Sequence, residues 1–425
     1  MPEPKAQPIE HVVVLNDFCF VQGGASKVAI DEAIALREYG VAVTFLAPVG
    51  PPCEALRDAG ARIVCLDQPE LADATRHPSA ALRGLSNRPA SRALRAVLAG
   101  LDPARSIVHL HGYTKALTAF PALVAREAGF STVCTLHDFF AACPNGAFYD
   151  YRRDRPCDLT ALSRSCIATH CDKRHALHKG YRVARGMIQR HVAHFPSSVR
   201  DFITLSRRSA ALLAPYLPGD AVFHPLENIV DIAQRPPADP AASHELLVLG
   251  RLDAEKGVLL AAEAARRAAW PIVFAGDGTQ RQALLNAGAS VTGWLPADKA
   301  QQRIDHARCL IFPSRWYETY GLVVAEAAAR GVPAIVSDIS APAERLEPGV
   351  TGWTFQSGDT DDLIRCMVRL QDDAVVRAAG AAAYRRFWSH PPDRARHTTE
   401  LLSIYAAVVA RDPSRSFSRS AMMPL

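Results

Sequence analysis

Glu318 and Glu326 flank the start of a helix in the stretch Phe312-Pro-Ser-Arg-Trp-Tyr-Glu-Thr-Tyr-Gly-Leu-Val-Val-Ala-Glu326. The apolar run Cys309-Leu-Ile-Phe312 reads as a buried strand, broken by Pro313 and Ser314. Gly321 to Arg330 carries helical periodicity. Glu318 is therefore expected in the loop at a strand's carboxyl end, and Glu326 on the helix itself. Between them the first free amides of that helix would favour a phosphate. A carboxylate to grip hydroxyls, an amide nest and a second carboxylate beyond it suit a nucleotide sugar.

A second group follows another apolar strand, in Gly250-Arg-Leu-Asp-Ala-Glu-Lys-Gly257. Arg251 and Lys256 lie between a strand's carboxyl end and a helix, where both can reach one cleft. Two cations there would neutralise a diphosphate and stabilise it as it leaves. Either alone would be an ordinary surface charge. Phe274-Ala-Gly-Asp-Gly278 is a further strand-to-helix turn, with Gly276 on the cleft side. In Val291-Thr-Gly-Trp-Leu295, Trp294 and Leu295 would lie near a base, and for Trp294 core packing is an equal alternative.

These groups need elements to hold them. His11 to Leu15 is a continuous apolar strand, followed by Asn16-Asp17 and the pair Gly23-Gly24, then a helical pattern from Ser26 to Tyr39. Strands are expected at Val41 to Leu46, Arg62 to Leu66, Ser106 to Leu110, Ser131 to Leu136 and Phe202 to Leu205. After the proline-rich stretch Ala233 to Pro240 the alternation resumes, at Glu245 to Leu249, Trp270 to Ala275, Ser290 to Thr292, Cys309 to Phe312 and Val332 to Val336. Strands alternating with helices imply parallel sheets covered on both faces. The fold expected is α/β, two doubly wound Rossmann-like parallel-sheet domains facing across a cleft. Their extents are 1–232, with a cysteine-rich insert at about 140–175, and 233–389. A segment at 390–425 is expected to supply a helix that packs back on the first domain and a disordered tail from Asp412.

At 425 residues two cores are the natural arrangement. About half the residues are hydrophobic and a fifth charged, as in ordinary soluble globular chains. No uninterrupted apolar run is long enough for a spanning helix. The start, Met-Pro-Glu-Pro-Lys, lacks a basic-then-apolar leader, so the expected location is cytoplasmic. The net charge of +5 is mild and sits partly in two runs, Arg83 to Arg95 and Lys173 to Arg190. A solvated helix face accounts for them; the sharper reading is attraction to anionic lipid, which would make the protein peripheral at the inner face of the cell membrane. No nucleic-acid partner is expected, since the cations are not interleaved with aromatics.

The ordered set resembles the fourth family of retaining glycosyltransferases, which have the GT-B fold. The matching pieces are Glu318-x7-Glu326, the Gly250 to Gly257 turn, Gly276-Asp-Gly278, Gly293, Pro313-Ser314 and Gly349-Val-Thr-Gly352. Earlier in the chain Gly23-Gly24, Val108-His-Leu-His111, His137-Asp138 and Asn228-Ile-Val-Asp231 match in order. The resemblance implies that Arg251 and Lys256 hold the donor diphosphate, Glu326 the ribose hydroxyls and Glu318 the transferred sugar, while the amides of Tyr320, Gly321 and Leu322 line the phosphate. It places His137 beside that sugar on the opposite wall, and Gly23 and Gly24 where backbone must approach the phosphate. His111 and Asp138 are acceptor-side candidates, whereas His109 reads as a strand cap. The implied partners are a nucleoside-diphosphate sugar and a glycan or lipid-linked acceptor, with no cofactor required for catalysis. The one Asp-x-Asp, Asp359-Thr-Asp361, reads as a helix cap.

Cys143, Cys157, Cys166 and Cys171 crowd into one loop-like region. In a cytoplasmic chain such clustering points either to structural zinc or to free buried thiols. Two rival functions use the same cleft. One is another GT-B nucleotide-sugar enzyme, an epimerase or phosphorylase-like protein; the other is a non-catalytic sugar-nucleotide scaffold. The joint presence of Glu318, Glu326, Arg251 and Lys256 argues against the scaffold.

Overall fold

Val12, Val13, Val14 and Leu15 are completely buried, as a strand covered on both faces requires. In the computed structural model, which describes residues 9–71 and 78–411, this run is β1 (His11–Leu15). It is followed by α1 (Gly24–Glu38), β2 (Ala42–Ala47), α2 (Glu54–Asp58), β3 (Arg62–Cys65), α3 (Pro78–Leu85) and α4 (Arg88–Leu98). Then come β4 (Ser106–Leu110), α5 (Phe120–Glu127) and β5 (Thr132–Thr135). An insert carries β6 (Tyr149–Asp150), β7 (Arg155–Pro156), α6 (Arg164–Ala168) and α7 (Ala176–His191). The half closes with β8 (Asp201–Thr204), α8 (Arg207–Leu213) and β9 (Val222–Pro225).

The first sheet has seven parallel strands in the order β3-β2-β1-β4-β5-β8-β9. Chain order reverses direction between β1 and β4, and that boundary opens a crevice at the strands' carboxyl ends. Asp17, just past β1, locks the facing turn: its carboxylate accepts the amides of Thr114, Lys115, Ala116 and Leu117 at 2.8–2.9 Å.

The second half contains β10 (Leu246–Leu249), α9 (Val258–Arg267), β11 (Ile272–Ala275), α10 (Arg281–Asn286), β12 (Ser290–Gly293) and α11 (Ala297–Asp305). These lead into β13 (Cys309–Phe312), α12 (Leu322–Ala329), β14 (Ala334–Ser337), β15 (Gly352–Phe355) and α13 (Thr360–Val368). Its six parallel strands run β12-β11-β10-β13-β14-β15, with the reversal between β10 and β13. The Arg251 and Glu318 loops follow those two strands. The architecture is the doubly wound pair expected. Asp359 caps α13 by accepting the Asp362 amide.

Besides the two-residue strands β6 and β7 of the insert, two strands of the main sheets were not in the sequence expectation. β9 is an only partly buried edge strand that ends in proline, and β15 opens on a glycine, so neither carries a long apolar run. Helices α14 (Asp373–Ser389) and α15 (Arg394–Arg411) complete the described chain. Leu401, Tyr405, Val408 and Val409 of α15 join Val12, Val14, Ile30 and Phe45 in one apolar cluster. The expected disordered tail lies outside the described residues. Among the described residues no helix is long and apolar enough to cross a membrane.

Candidate active site

The loop after β13 turns Glu318 toward the loop after β10. Three donors converge on its Oε1: the Lys256 ammonium, Ser314 Oγ at 2.7 Å and Trp316 Nε1 at 2.8 Å. Among the described residues Oε2 has no such partner. Burial alone would raise the carboxyl pKa, but Lys256, Trp316 and Ser314 outweigh it and hold Glu318 below the usual range. The side chain is therefore a fixed anion with one oxygen free for a hydroxyl. Lys256 also lies 4.9 Å from the Trp316 ring centroid, so its ammonium is held by a charge and a π face together.

Backbone geometry brings the two loops together. Gly257 sits at φ +68°, and a Cβ there would run into the carbonyl of Pro313. Gly321 at φ +78° similarly leaves no room for a Cβ against Pro342, so the chain can turn sharply into α12. Arg251 is largely exposed and pairs with Asp253 at 3.0 Å; Thr279 anchors that carboxylate from the Gly276 turn. Leu295 packs against the second half's core, whereas Trp294 is 75 % exposed, which removes core packing as its role.

Glu326 lies apart from Glu318. It faces a cavity of about 450 Å³ shared with Lys27, Asp31, Leu322, Arg330 and residues 229–232. Burial raises its pKa, partly offset by Lys27 of α1. The cavity therefore spans both halves. A Cβ built on Gly23 or Gly24 would meet no protein atom within 4 Å, so nothing in the protein's own packing demands glycine there. Tyr320 turns its ring away into the seam between the halves. Its hydroxyl bonds the Asn228 carbonyl at 3.3 Å, and the Arg345 guanidinium lies over its ring at 3.6 Å.

On the opposite wall His137 follows β5, and its carbonyl accepts the Thr319 hydroxyl at 3.0 Å across the cleft. Burial, then the neighbouring His111, lowers its pKa to about 3, so it is a neutral imidazole. Its Nε2 is 3.0 Å from His111 Nδ1. Behind them lies a buried network that sequence reasoning missed. Glu32 Oε2 is 3.3 Å from His111 Nε2 and 3.5 Å from His109 Nδ1, while Oε1 is 3.1 Å from His397 Nε2 of α15. His109 is no strand cap: it lies inside β4, bonding Tyr405 at 2.6 Å and Thr135 at 2.7 Å. Burial works against ionising Glu32, but His111 and His397 prevail and keep it a carboxylate. The available signal was Glu32 itself, a charge on the face of α1 that carries Val28, Ala29, Ala33 and Leu36. Asp138 accepts the Phe140 amide at the start of the insert, and burial pushes its pKa up to about 6.

The insert reaches back to the donor loops. Asp154 pairs with Arg315, and Lys173 lies 3.2 Å from Asp253 and 3.5 Å from Glu255. Inside it, Cys143, Cys166 and Cys171 are buried and Cys157 partly so, all as free thiols. The Lys179 ammonium is 3.1 Å from Cys171 Sγ and 3.8 Å from Cys166 Sγ, and Cys143 Sγ bonds Asn145 Oδ1 at 3.0 Å. The donor chemistry suits zinc, but the spacing does not. Among the described residues the one trio of His, Cys, Asp or Glu ligand atoms within 4.8 Å of one another is Glu32, His109 and His111.

Two family models match the chain: "Glycosyl transferase 4-like domain" over residues 23–217 and "Glycosyl transferases group 1" over residues 243–373. A glycogen synthase of Mycobacterium tuberculosis is 31 % identical over 210 residues, covering 45 % of this chain and 50 % of the relative. A GDP-mannose-dependent alpha-mannosyltransferase of Corynebacterium glutamicum is 28 % identical over 208 residues, covering 47 % and 49 %. The chain spans about half the length of these curated relatives. Among solved structures, sucrose-phosphate synthase from Thermosynechococcus elongatus superposes with a TM-score of 0.67 at 16 % identity, over 94 % of this chain and 99 % of the other. The Anabaena HepE protein in complex with UDP-glucose gives 0.61 at 16 %, over 93 % and 99 %. These likenesses show the two-sheet fold.

Proposed function

Starting from a chain that belongs to the family-four glycosyltransferases of GT-B fold, we propose that it moves a sugar from a nucleoside diphosphate to a glycan or lipid-linked acceptor with retention of configuration. The observation that carries this is Glu318, an ionised carboxylate pinned through one oxygen by Lys256, Ser314 and Trp316 at the switch point of the second sheet. Its other oxygen would take a hydroxyl of the transferred sugar. His137, held across the cleft through Thr319, would face that sugar from the acceptor side.

In this reading residues 1–232 form the acceptor domain and 233–389 the donor domain. Arg251 and Lys256 take the diphosphate with the amides of Tyr320, Gly321 and Leu322. Glu326 receives the ribose hydroxyls, Trp294 and Leu295 flank the base, and the open space over Gly23 and Gly24 admits the phosphate. The phosphate charge then needs no metal ion, and the departing diphosphate takes the acceptor proton as the new glycosidic bond forms on the same face. Glu318 positions and stabilises; a nucleoside diphosphate leaves without a carboxylic acid to protonate it. The location that goes with this activity is the cytoplasm, peripheral to the membrane's inner face. Structural zinc in the insert would require Lys179 to withdraw from the sulfurs. Metal analysis of protein purified without added zinc decides it, since a metal-free, folded sample ends the idea.

The test is a thermal-shift screen with UDP, GDP, ADP and their sugar conjugates, with and without EDTA. A selective shift for one nucleoside diphosphate, surviving EDTA and lost in Arg251→Ala, is expected. No shift from any nucleotide would defeat the transferase reading, and donor turnover without an acceptor would favour an epimerase or phosphorylase.

A further inference from the structure

Residues 151–194 hold ten Lys and Arg against three Asp and Glu, an excess of seven in a chain whose whole net charge is +5. The rest of the protein is thus slightly acidic, and the insert with α7 carries the positive charge. Much of it is uncommitted. Arg152, Arg155, Arg164, Arg174 and Arg190 are exposed and have no carboxylate partner among the described residues. Of the three acids, Asp154 and Asp172 are already paired, which leaves Asp158.

The same segment exposes apolar side chains where a soluble helix would place polar ones. On α7, Leu177, Ala184 and Met187 are exposed and share one face with Gly180 at three- and four-residue spacing, and the exposed His191 ends that stripe. Leu177 is 82 % exposed and Met187 39 %. Arg174 and Arg190 bracket the stripe at its two ends. Helix α3 lies alongside, tied by the Tyr181 hydroxyl to the Ala81 carbonyl at 2.7 Å, and presents Leu82 at 72 % exposure. No described residue covers these side chains. The opposite face of α7 is firmly seated through Lys179, Arg185 and Gln189, so the helix is a rigid platform.

We infer that the exposed stripe of α7, with Leu82 of α3 and the unpaired arginines of the insert, is a docking face for an anionic lipid bilayer. Apolar side chains bordered by unpaired cations match the boundary between acyl chains and acidic headgroups. A protein partner would need acidic complementarity as well as an apolar ridge; the bilayer supplies both over any area. The position adds a purpose. The insert that carries this face also supplies Lys173 and Asp154 to the donor loops, so docking brings the cleft's rim to the membrane. This purpose rests on the reading of a lipid-linked acceptor; the docking face does not.

Co-sedimentation of the full chain with vesicles tests it. Vesicles of phosphatidylcholine with phosphatidylglycerol should pull the protein down at low salt, and phosphatidylcholine alone should not. Binding should fall as salt rises. The double variant Leu177→Ser/Met187→Ser should reduce partitioning about tenfold with its charge unchanged, and Arg174→Gln/Arg190→Gln should flatten the salt dependence. Both pairs should keep the wild-type melting temperature and the nucleotide shift measured without vesicles, so a failed donor site and a failed docking face give separate signals. Wild-type protein left in the supernatant with anionic vesicles would overturn the inference, as would undiminished binding by both variants. A self-associated species seen in sedimentation velocity and lost in Leu177→Ser/Met187→Ser would reassign the stripe to a second copy of the chain.

Discussion

Lys256 touches Glu318 and also sits where the leaving diphosphate would gather charge, so its removal has two effects of different size. Lys256→Ala should depress kcat more than it weakens donor binding, because charge on the phosphate is greatest at the transition state. Steady-state kinetics beside donor titration separates them, and weaker binding at unchanged kcat would contradict the assignment. Glu326→Ala should do the reverse, weakening donor affinity by ~1–3 kcal/mol through the lost acceptor for a buried hydroxyl pair. Glu32 acts at one remove. A negative charge 3.3 Å from His111 Nε2 favours a hydrogen on that nitrogen and so biases which ring donates in the contact between His111 Nδ1 and His137 Nε2. Glu32→Gln should therefore change the His137 tautomer seen by 15N NMR and lower kcat about tenfold at constant donor KM. An unchanged tautomer would leave Glu32 a purely structural group. The positions of the four residues named first for chemistry were legible because Glu318, Arg251 and Lys256 lie in loops that follow apolar strands, and Glu326 lies on the helix that one of those loops enters. The Glu32 network was not. Its partners come from β4 and from a helix more than 360 residues away, and no local pattern records such a meeting.

Among the elements, α15 has a titratable fastening. His397 bonds the Glu227 carbonyl at 2.6 Å and faces Glu32. Burial lowers its pKa, but Glu32 and the Glu227 carbonyl outweigh that and raise it above 6.5. A folded pKa above the unfolded one means that the stabilisation is complete below 6.5 and lost as pH rises through the folded value. The melting temperature of wild type should thus exceed that of His397→Gln most at mildly acidic pH, with the gap closing toward alkaline pH. A constant gap would show that His397 contributes shape alone. Strands were the legible elements, since a parallel strand buried on both faces must be apolar throughout. The insert was legible only as a crowd of cysteines, because its tiny hairpin and two helices are held by side-chain contacts between distant positions, such as Lys179 with Cys171.

Across the whole molecule, the insert bridges from the first half to the donor loops through Asp154–Arg315 and Lys173 with Asp253 and Glu255. Asp154 and Arg315 are partly exposed, so that pair contributes about 0–1 kcal/mol, whereas Lys173 meets the buried carboxylates of Asp253 and Glu255. Their location matters more than their strength, because they sit where the two sheets would separate. The variant Lys173→Ala/Arg315→Ala should show a larger radius of gyration by X-ray scattering without nucleotide. An unchanged radius would mean that Thr319–His137 and Tyr320–Asn228 suffice to hold the halves together.

The burial of α15 beneath β1 and α1 also bears on how the chain comes to be folded. The first half is made first, yet one side of its core is supplied by residues 394–411. Until α15 leaves the ribosome, Val12, Val14, Ile30 and Phe45 lack part of their cover, so the first domain cannot finish folding as an independent early unit. The second half, whose sheet and flanking helices are contiguous from β10 to α14, can complete itself beforehand. Order of synthesis and order of completion are therefore inverted, and a prematurely ended chain would carry an open apolar seam that proteases and chaperones could recognise.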